Sequence, residues 1–225
     1  MDLFVYENPA EVARAVSAIV SRSINDAPGT FSLGLAGGST PEAAYQELAA
    51  SSTDWEEVTA WLGDERWVPH DSPRSNGNMA ARALFDHVPA RLVRPEWSEE
   101  LSPEESARFY GRFLRDLHQD SAPDIVLLGL GDDGHTASLF PGSKALDETH
   151  HRYVANVIPD SGEIRLTATY PMLNSARHIM FLVVGEAKAE ALKSSLAGDS
   201  PAGKVGESET RVEWHVDRKA ASRLS

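Results

Sequence analysis

Asp124–Gly142, DIVLLGLGDDGHTASLFPG, is the stretch on which the reading of the fold turns. An apolar run rich in Ile, Val and Leu, Ile125 to Leu130, leads directly into Gly131-Asp132-Asp133-Gly134-His135-Thr136. Such a run, bounded by glycines and carboxylates, predicts a buried strand that ends in a tight polar turn. Open α/β sheets place their ligands at the carboxyl ends of strands of this kind. Here that end delivers one imidazole, His135, beside two carboxylates, Asp132 and Asp133, with glycines that allow a ligand to approach the backbone.

Outward from this stretch, strand and helix patterns alternate. Pro9 to about Asn25 predicts an amphipathic helix with Val12, Val16, Ile19 and Val20 on one face. Phe31–Ala36 reads as a buried strand, and Pro41–Ala50 as a helix capped by Ser39 or Thr40. A strand over Val58–Leu62 and helices over Asn76–His87 and Pro103–His118 follow, the last opened by the capping-box pattern Ser102-Pro103-Glu104-Glu105. Strands are expected at Tyr153–Val157, Ile179–Val184 and Val212–Val216, with a helix over Glu186–Leu196. Pro201–Thr210, rich in Gly, Ser and Glu, reads as a surface loop, and Gly198–Ser208 as a mobile segment. The pattern predicts a single α/β domain over residues 1–225, with a doubly wound (Rossmann-like), mostly parallel sheet and helices on both faces.

Bulk properties narrow the function. The chain has 225 residues, 41% hydrophobic and 24% charged, enough for one well-buried core. It contains no cysteine, which removes disulfides, thiol nucleophiles and thiolate metal sites together. No apolar run reaches membrane-spanning length and the N-terminus lacks a secretory pattern, so the expected location is cytoplasmic. A net charge of −13 argues against nucleic acid or an anionic membrane as partner. An anionic small molecule would then need local backbone N–H groups and a few cations, because salt screens the summed field beyond ~8 Å.

Two motifs supply such groups. Gly37-Gly38-Ser39-Thr40-Pro41 joins a strand to a helix, where unpaired N–H groups and the helix dipole suit a phosphate; the hydroxyls of Ser39 and Thr40 add donors. The same residues serve equally as a plain capped turn. Gly63-Asp64-Glu65-Arg66 also ends a strand: Arg66 can fork onto a phosphate, with Asp64 and Glu65 orienting hydroxyls or Arg66 itself, or the three are a solvated charge cluster. Asn76, at the start of the next helix, is a cap or a ligand contact, and Arg74 is given no role. Among eight histidines, His135 alone has the setting of an acid/base group. Asp133, two residues away, is placed to fix its tautomer. Backbone N–H groups around Gly134 or Gly38 are candidates to receive a developing oxyanion. His150 and His151 are adjacent and no HxxxH or HExxH spacing occurs, so neither a metal nor any other cofactor is expected.

Gly131–Gly142 resembles the signature of the 6-phosphogluconolactonases, which share a wider family with the glucosamine-6-phosphate deaminases/isomerases. Leu35–Pro41 and Gly63–Pro69 followed by Ser75-Asn76 are similar to two further blocks of that family, in the same order. The resemblance implies hydrolysis of a phosphorylated sugar lactone, 6-phospho-D-glucono-1,5-lactone, in the pentose phosphate pathway, with His135 activating water; whether the chain acts as a monomer or small homo-oligomer is left open by the sequence. It adds Arg165 as a second candidate phosphate clamp and Lys188, at a helix start, as a ligand contact or a surface lysine. Ile158–Gly162 departs from a Ser-Pro-Lys-Pro-like stretch and so lacks one positive charge, and Pro201-Ala202-Gly203 replaces Pro-Ala-Ser. The deaminase branch usually has Asp-Glu-Tyr where this chain has Asp64-Glu65-Arg66, and Ile-Ala-Phe-Asn where it has Thr136-Ala137-Ser138-Leu139. Both differences point to the lactonase branch. A non-catalytic sugar-phosphate binder would be expected to have lost Asp133 or His135, and both are present.

Overall fold

The apolar run after Asp124 is a strand buried on both faces, and it stands at the centre of a seven-stranded parallel sheet. The computed structural model describes residues 1–118, 122–206 and 210–224. The elements run β1 (Asp2–Tyr6), α1 (Pro9–Asn25), β2 (Phe31–Leu35), α2 (Ser39–Ala49), β3 (Val58–Leu62), β4 (Asp64–Arg66), α3 (Asn76–Ala80) and β5 (Arg91–Val93). They continue with α4 (Pro103–His118), β6 (Ile125–Leu128), β7 (Tyr153–Val157), β8 (Ile164–Ala168), α5 (Tyr170–Leu173), β9 (His178–Val183), α6 (Ala189–Leu196) and β10 (Arg211–Asp217).

The sheet order is β1-β10-β9-β6-β2-β3-β5. From β2 the chain steps outward to β3 and β5, then returns to the other side of β2 as β6 and steps outward again to β9 and β10. The winding therefore reverses between β2 and β6, whose registered pairs are Leu33 with Ile125 and Gly34 with Val126. Loops leaving the carboxyl ends of these neighbours part in opposite directions and open a crevice.

Alternation along the strands divides the core. Leu33, Leu35, Ala60, Ile125, Leu127 and Met180 meet α1 and α2 on one face. Val126, Leu128, Phe181 and Trp214 meet α4 and α6 on the other, with the Phe181 and Trp214 rings stacked 3.9 Å apart. Two buried tyrosines clip strand ends beneath the crevice. The Tyr45 hydroxyl accepts from the Ala36 N–H and donates to the Ala36 carbonyl, each at 2.9 Å. The Tyr110 hydroxyl accepts from Leu62 N and donates to Val93 O, also at 2.9 Å.

The structure departs from the sequence reading in several places. Tyr153–Val157 is a strand, but it pairs antiparallel with β8 in a second sheet of order β4-β8-β7. Too few residues separate Val157 from Ile164 for a parallel crossover, and Ile158 N to Glu163 O at 2.9 Å closes a hairpin instead. The helix begun at Asn76 widens to a π-helix over Ala81–Phe85. β1, absent from the sequence reading, is an edge strand with Leu3, Phe4 and Val5 partly exposed. Pro201–Thr210 is not simply a surface loop. Ser200, Pro201, Ala202 and Val205 are buried, and Ala202 N donates to Gly134 O at 3.0 Å; residues 207–209 lie outside the described residues.

Candidate active site

At the reversal point lies a cleft of about 270 Å³. Its walls come from the end of β2 (Ala36, Gly37, Gly38), from Asp64, Arg66 and Asn76, from the loop after β6 (Gly129 to Gly131 and His135 to Ala137), and from Arg165 and Lys188. Residues far apart in sequence are thus brought together, including nine of the eleven expected from sequence or resemblance counted with Asp133 bonded to His135 behind the wall.

Ser39 and Thr40 are the exceptions. The helix starts two residues earlier than expected, with Gly38 as N-cap at φ 104°, a conformation open to glycine. Ser39 and Thr40 therefore lie within the first turn and border a neighbouring depression with Pro9, Ala10, Ala43 and Val184. Their hydroxyls are not part of the cleft wall.

His135 Nδ1 lies 2.6 Å from Asp133 Oδ1, which also accepts from the His135 backbone N–H at 3.1 Å. With the carboxylate accepting from Nδ1–H, Nε2 is left as the basic nitrogen. Partial burial pushes the Asp133 carboxyl up, but the His135 N–H and the adjoining imidazole outweigh it and hold the group below its ordinary value. Gly131 makes this pairing possible, since a Cβ there would stand 2.1 Å from His135 Nδ1. The Gly134 N–H is not available to an oxyanion, contrary to the sequence expectation. It donates to Gly131 O at 3.1 Å, closing the turn that presents His135.

The loop beyond His135 is pinned by Ser138. Its Oγ donates to Asp64 Oδ2 at 2.6 Å, its N–H to Thr167 Oγ1 at 3.1 Å, and its carbonyl accepts from Asn156 Nδ2 at 2.8 Å. Asp64 is buried, so its main work is to join this loop to Asn76, whose Nδ2 donates to Asp64 O at 2.9 Å. Ala137, between His135 and Ser138, takes a left-handed φ of 48° at the cleft wall, local strain of the kind found at functional sites.

Glu65 answers the question left open by the charge cluster. It is buried and accepts from Arg66 N, Asn76 N, Gly77 N and Ser75 Oγ at 2.7–2.9 Å. Ser75, rather than Asn76, is the helix cap, accepting from Asn78 N at 3.0 Å. Arg66 is held at the cleft by its Nη1, which donates to the Arg74 carbonyl at 2.6 Å. The Arg74 side chain in turn pairs with Glu163, whose other oxygen takes Arg165 Nη2 at 3.0 Å and Nε at 3.2 Å. Lys188 Nζ reaches Asp132 Oδ1 at 2.6 Å, so the second carboxylate of the turn serves the lysine and not the histidine.

Sequence reasoning missed Ser138, Thr167, Asn156 and Glu163. Each acts through a partner distant in the chain; Ser138 and Thr167 lay near residues already singled out, His135 and Arg165, but their own roles were not read. Among the described residues no group of three or more His, Cys, Asp or Glu is arranged to hold a metal ion, and no helix is long and apolar enough to cross a membrane.

Residues 7–214 match the family model described as glucosamine-6-phosphate isomerases/6-phosphogluconolactonase. A 6-phosphogluconolactonase of Synechocystis sp. is 37% identical over 208 residues, 87% of this chain and 85% of that protein. Among solved structures, 6-phosphogluconolactonase from Trypanosoma brucei superposes with a TM-score of 0.87 at 27% identity, covering 100% of this chain and 98% of that one. A monomeric glucosamine-6-phosphate deaminase superposes with a TM-score of 0.84 at 27% identity, covering 99% and 100%. The fold is thus common to two activities, and the choice between them rests on side chains.

Proposed function

The chain belongs to the family of glucosamine-6-phosphate isomerases and 6-phosphogluconolactonases, and from that premise we propose that it hydrolyses 6-phospho-D-glucono-1,5-lactone to 6-phospho-D-gluconate. The observation that carries the reading is the His135–Asp133 pair, 2.6 Å apart, at the wall of a cleft that also holds Arg66, Arg165 and Lys188. A lactone that carries a phosphate needs a base at its carbonyl carbon and cations at its phosphate.

In this reading His135 Nε2 takes a proton from water as its oxygen bonds to the lactone C1, while Asp133 steadies the imidazolium. The carbonyl electron pair moves onto oxygen, and the unengaged N–H groups at the start of α2 are the candidate donors to that oxyanion. When the oxyanion collapses, the bond from C1 to the ring oxygen breaks and His135 returns the proton to that oxygen. The product carries a free hydroxyl at C5 and a carboxyl at C1. Arg66, Arg165 and Lys188 hold the phosphate, and Asn76, at the cleft wall, is a candidate contact to the sugar.

The test is a coupled assay. Glucose-6-phosphate dehydrogenase generates the lactone and 6-phosphogluconate dehydrogenase reports its hydrolysis above the spontaneous rate. Acceleration by this protein, with no ammonia released from glucosamine 6-phosphate, is the expected outcome. Ammonia release without lactone hydrolysis would replace the reading with the deaminase one.

A further inference from the structure

Phe140 stands outside the cleft wall yet touches two residues of it. Its ring is stacked on the His135 imidazole, with centroids 3.9 Å apart and planes 26° from parallel. The Arg165 guanidinium carbon lies 5.4 Å from the centre of the same ring. We propose that Phe140 is a positioning residue that ties the orientation of His135 to that of Arg165, and so couples recognition of the substrate's phosphate to placement of the base. The proposal rests on the lactonase reading above.

The hydrogen bond to Asp133 fixes one atom of the imidazole but leaves the ring free to tilt about that bond. A flat aromatic surface in stacking contact removes the tilt. Arg165 is likewise fixed at one edge, by the two bonds to Glu163, and the Phe140 ring receives the remaining cationic surface. The ring itself is firmly mounted. Leu139 before it is fully buried, and its own carbonyl accepts from Ser143 N at 3.0 Å. A ligand that draws Arg165 toward a phosphate therefore acts on a ring that also sets the plane of the base.

The experiment compares wild type, Phe140→Leu and Phe140→Tyr on two lactones, 6-phosphogluconolactone and unphosphorylated glucono-1,5-lactone, with spontaneous hydrolysis subtracted. Phe140→Leu is expected to lower kcat on both by on the order of tenfold, the effect of a misplaced catalytic group. It should also shrink the kcat/KM preference for the phosphorylated lactone, while Phe140→Tyr, which keeps the flat face, retains both. A purely structural role would lower the two lactones alike. If Phe140→Leu does not fold, Phe140→Met, unbranched, better able to fill the gap and without a flat face, carries the same expectation. A folded Leu or Met variant with an unchanged preference, or a Tyr variant as impaired as Leu, would overturn the proposal. Wild-type protein that hydrolyses neither lactone would instead overturn the lactonase reading.

Discussion

At the scale of the residue, one missing methyl group governs the site. A Cβ at Gly131 would lie 2.1 Å from His135 Nδ1 and 2.6 Å from Asp133 Oδ1, so Gly131→Ala must push the pair apart. The expected result is a kcat lowered by roughly 10–100-fold, because a displacement of about 1 Å suffices for that, with KM and the melting temperature little changed. Steady-state kinetics beside a thermal melt decide it, and wild-type kcat in Gly131→Ala would show that the pair does not need its observed geometry. His135 and Asp133 were legible in the sequence because they are two residues apart on one turn, so their meeting depends on local geometry. The role of Glu163 was not, since Arg74 reaches it only after β4 and β8 pair, with Arg66 opposite Arg165.

Elements whose ends carry their own chemistry were the legible ones. Ser102 Oγ donates to Glu105 Oε2 at 2.7 Å and accepts from Glu105 N at 3.2 Å, as the capping-box spacing implied. Ser102→Ala should lower Tm by roughly 2–4 °C, the usual consequence of losing a cap in a chain of this size, while leaving kcat untouched, because α4 packs against β7 and none of its residues lines the cleft. A loss of activity without a loss of stability would contradict that placement. β1 and the second sheet were harder to read. β1 is five residues long and half exposed, so its apolar pattern marks an edge and not a core. β4 has three residues and exists through its partner β8. Pro201–Val205 has the composition of a loop, yet Pro201, Ala202 and Val205 are buried and Ala202 N donates to Gly134 O, a tertiary demand that composition does not carry.

Across the whole molecule, histidines other than His135 set the response to acid. His118 is buried against Ser32 Oγ and Leu114 O, at 2.7 and 2.6 Å. His215 lies between the Tyr6 hydroxyl at 2.9 Å and Glu213 at 3.1 Å, and His178 approaches the same carboxylate at 3.0 Å. Burial lowers the pKa of all three, outweighing the bonds that favour their charged forms. Below about pH 6.5 the unfolded chain takes up protons that these folded imidazoles resist, so stability falls as pH drops through that value toward the folded pKa values. The folded pKa values of Asp133 and Glu213 are also lowered, and their protonation at still lower pH acts in the same direction. Urea unfolding should therefore give a lower midpoint at pH 5.5 than at pH 7.5; an equal or higher midpoint at pH 5.5 would contradict the burial of neutral histidines.

Within Asp124–Gly142 the buried strand and the polar turn that follows it were readable, because each is a local pattern, whereas the parallel sheet was read from the alternation of strands and helices along the whole chain. The proposed mechanism stands on His135 as the base. The most direct test is the rate of 6-phosphogluconolactone hydrolysis by wild type and His135→Gln, measured at saturating substrate above the spontaneous reaction. The expected result is a kcat lower by roughly 10²–10⁴-fold in His135→Gln, with an unchanged melting temperature. A His135→Gln protein that turns over at the wild-type rate would contradict it.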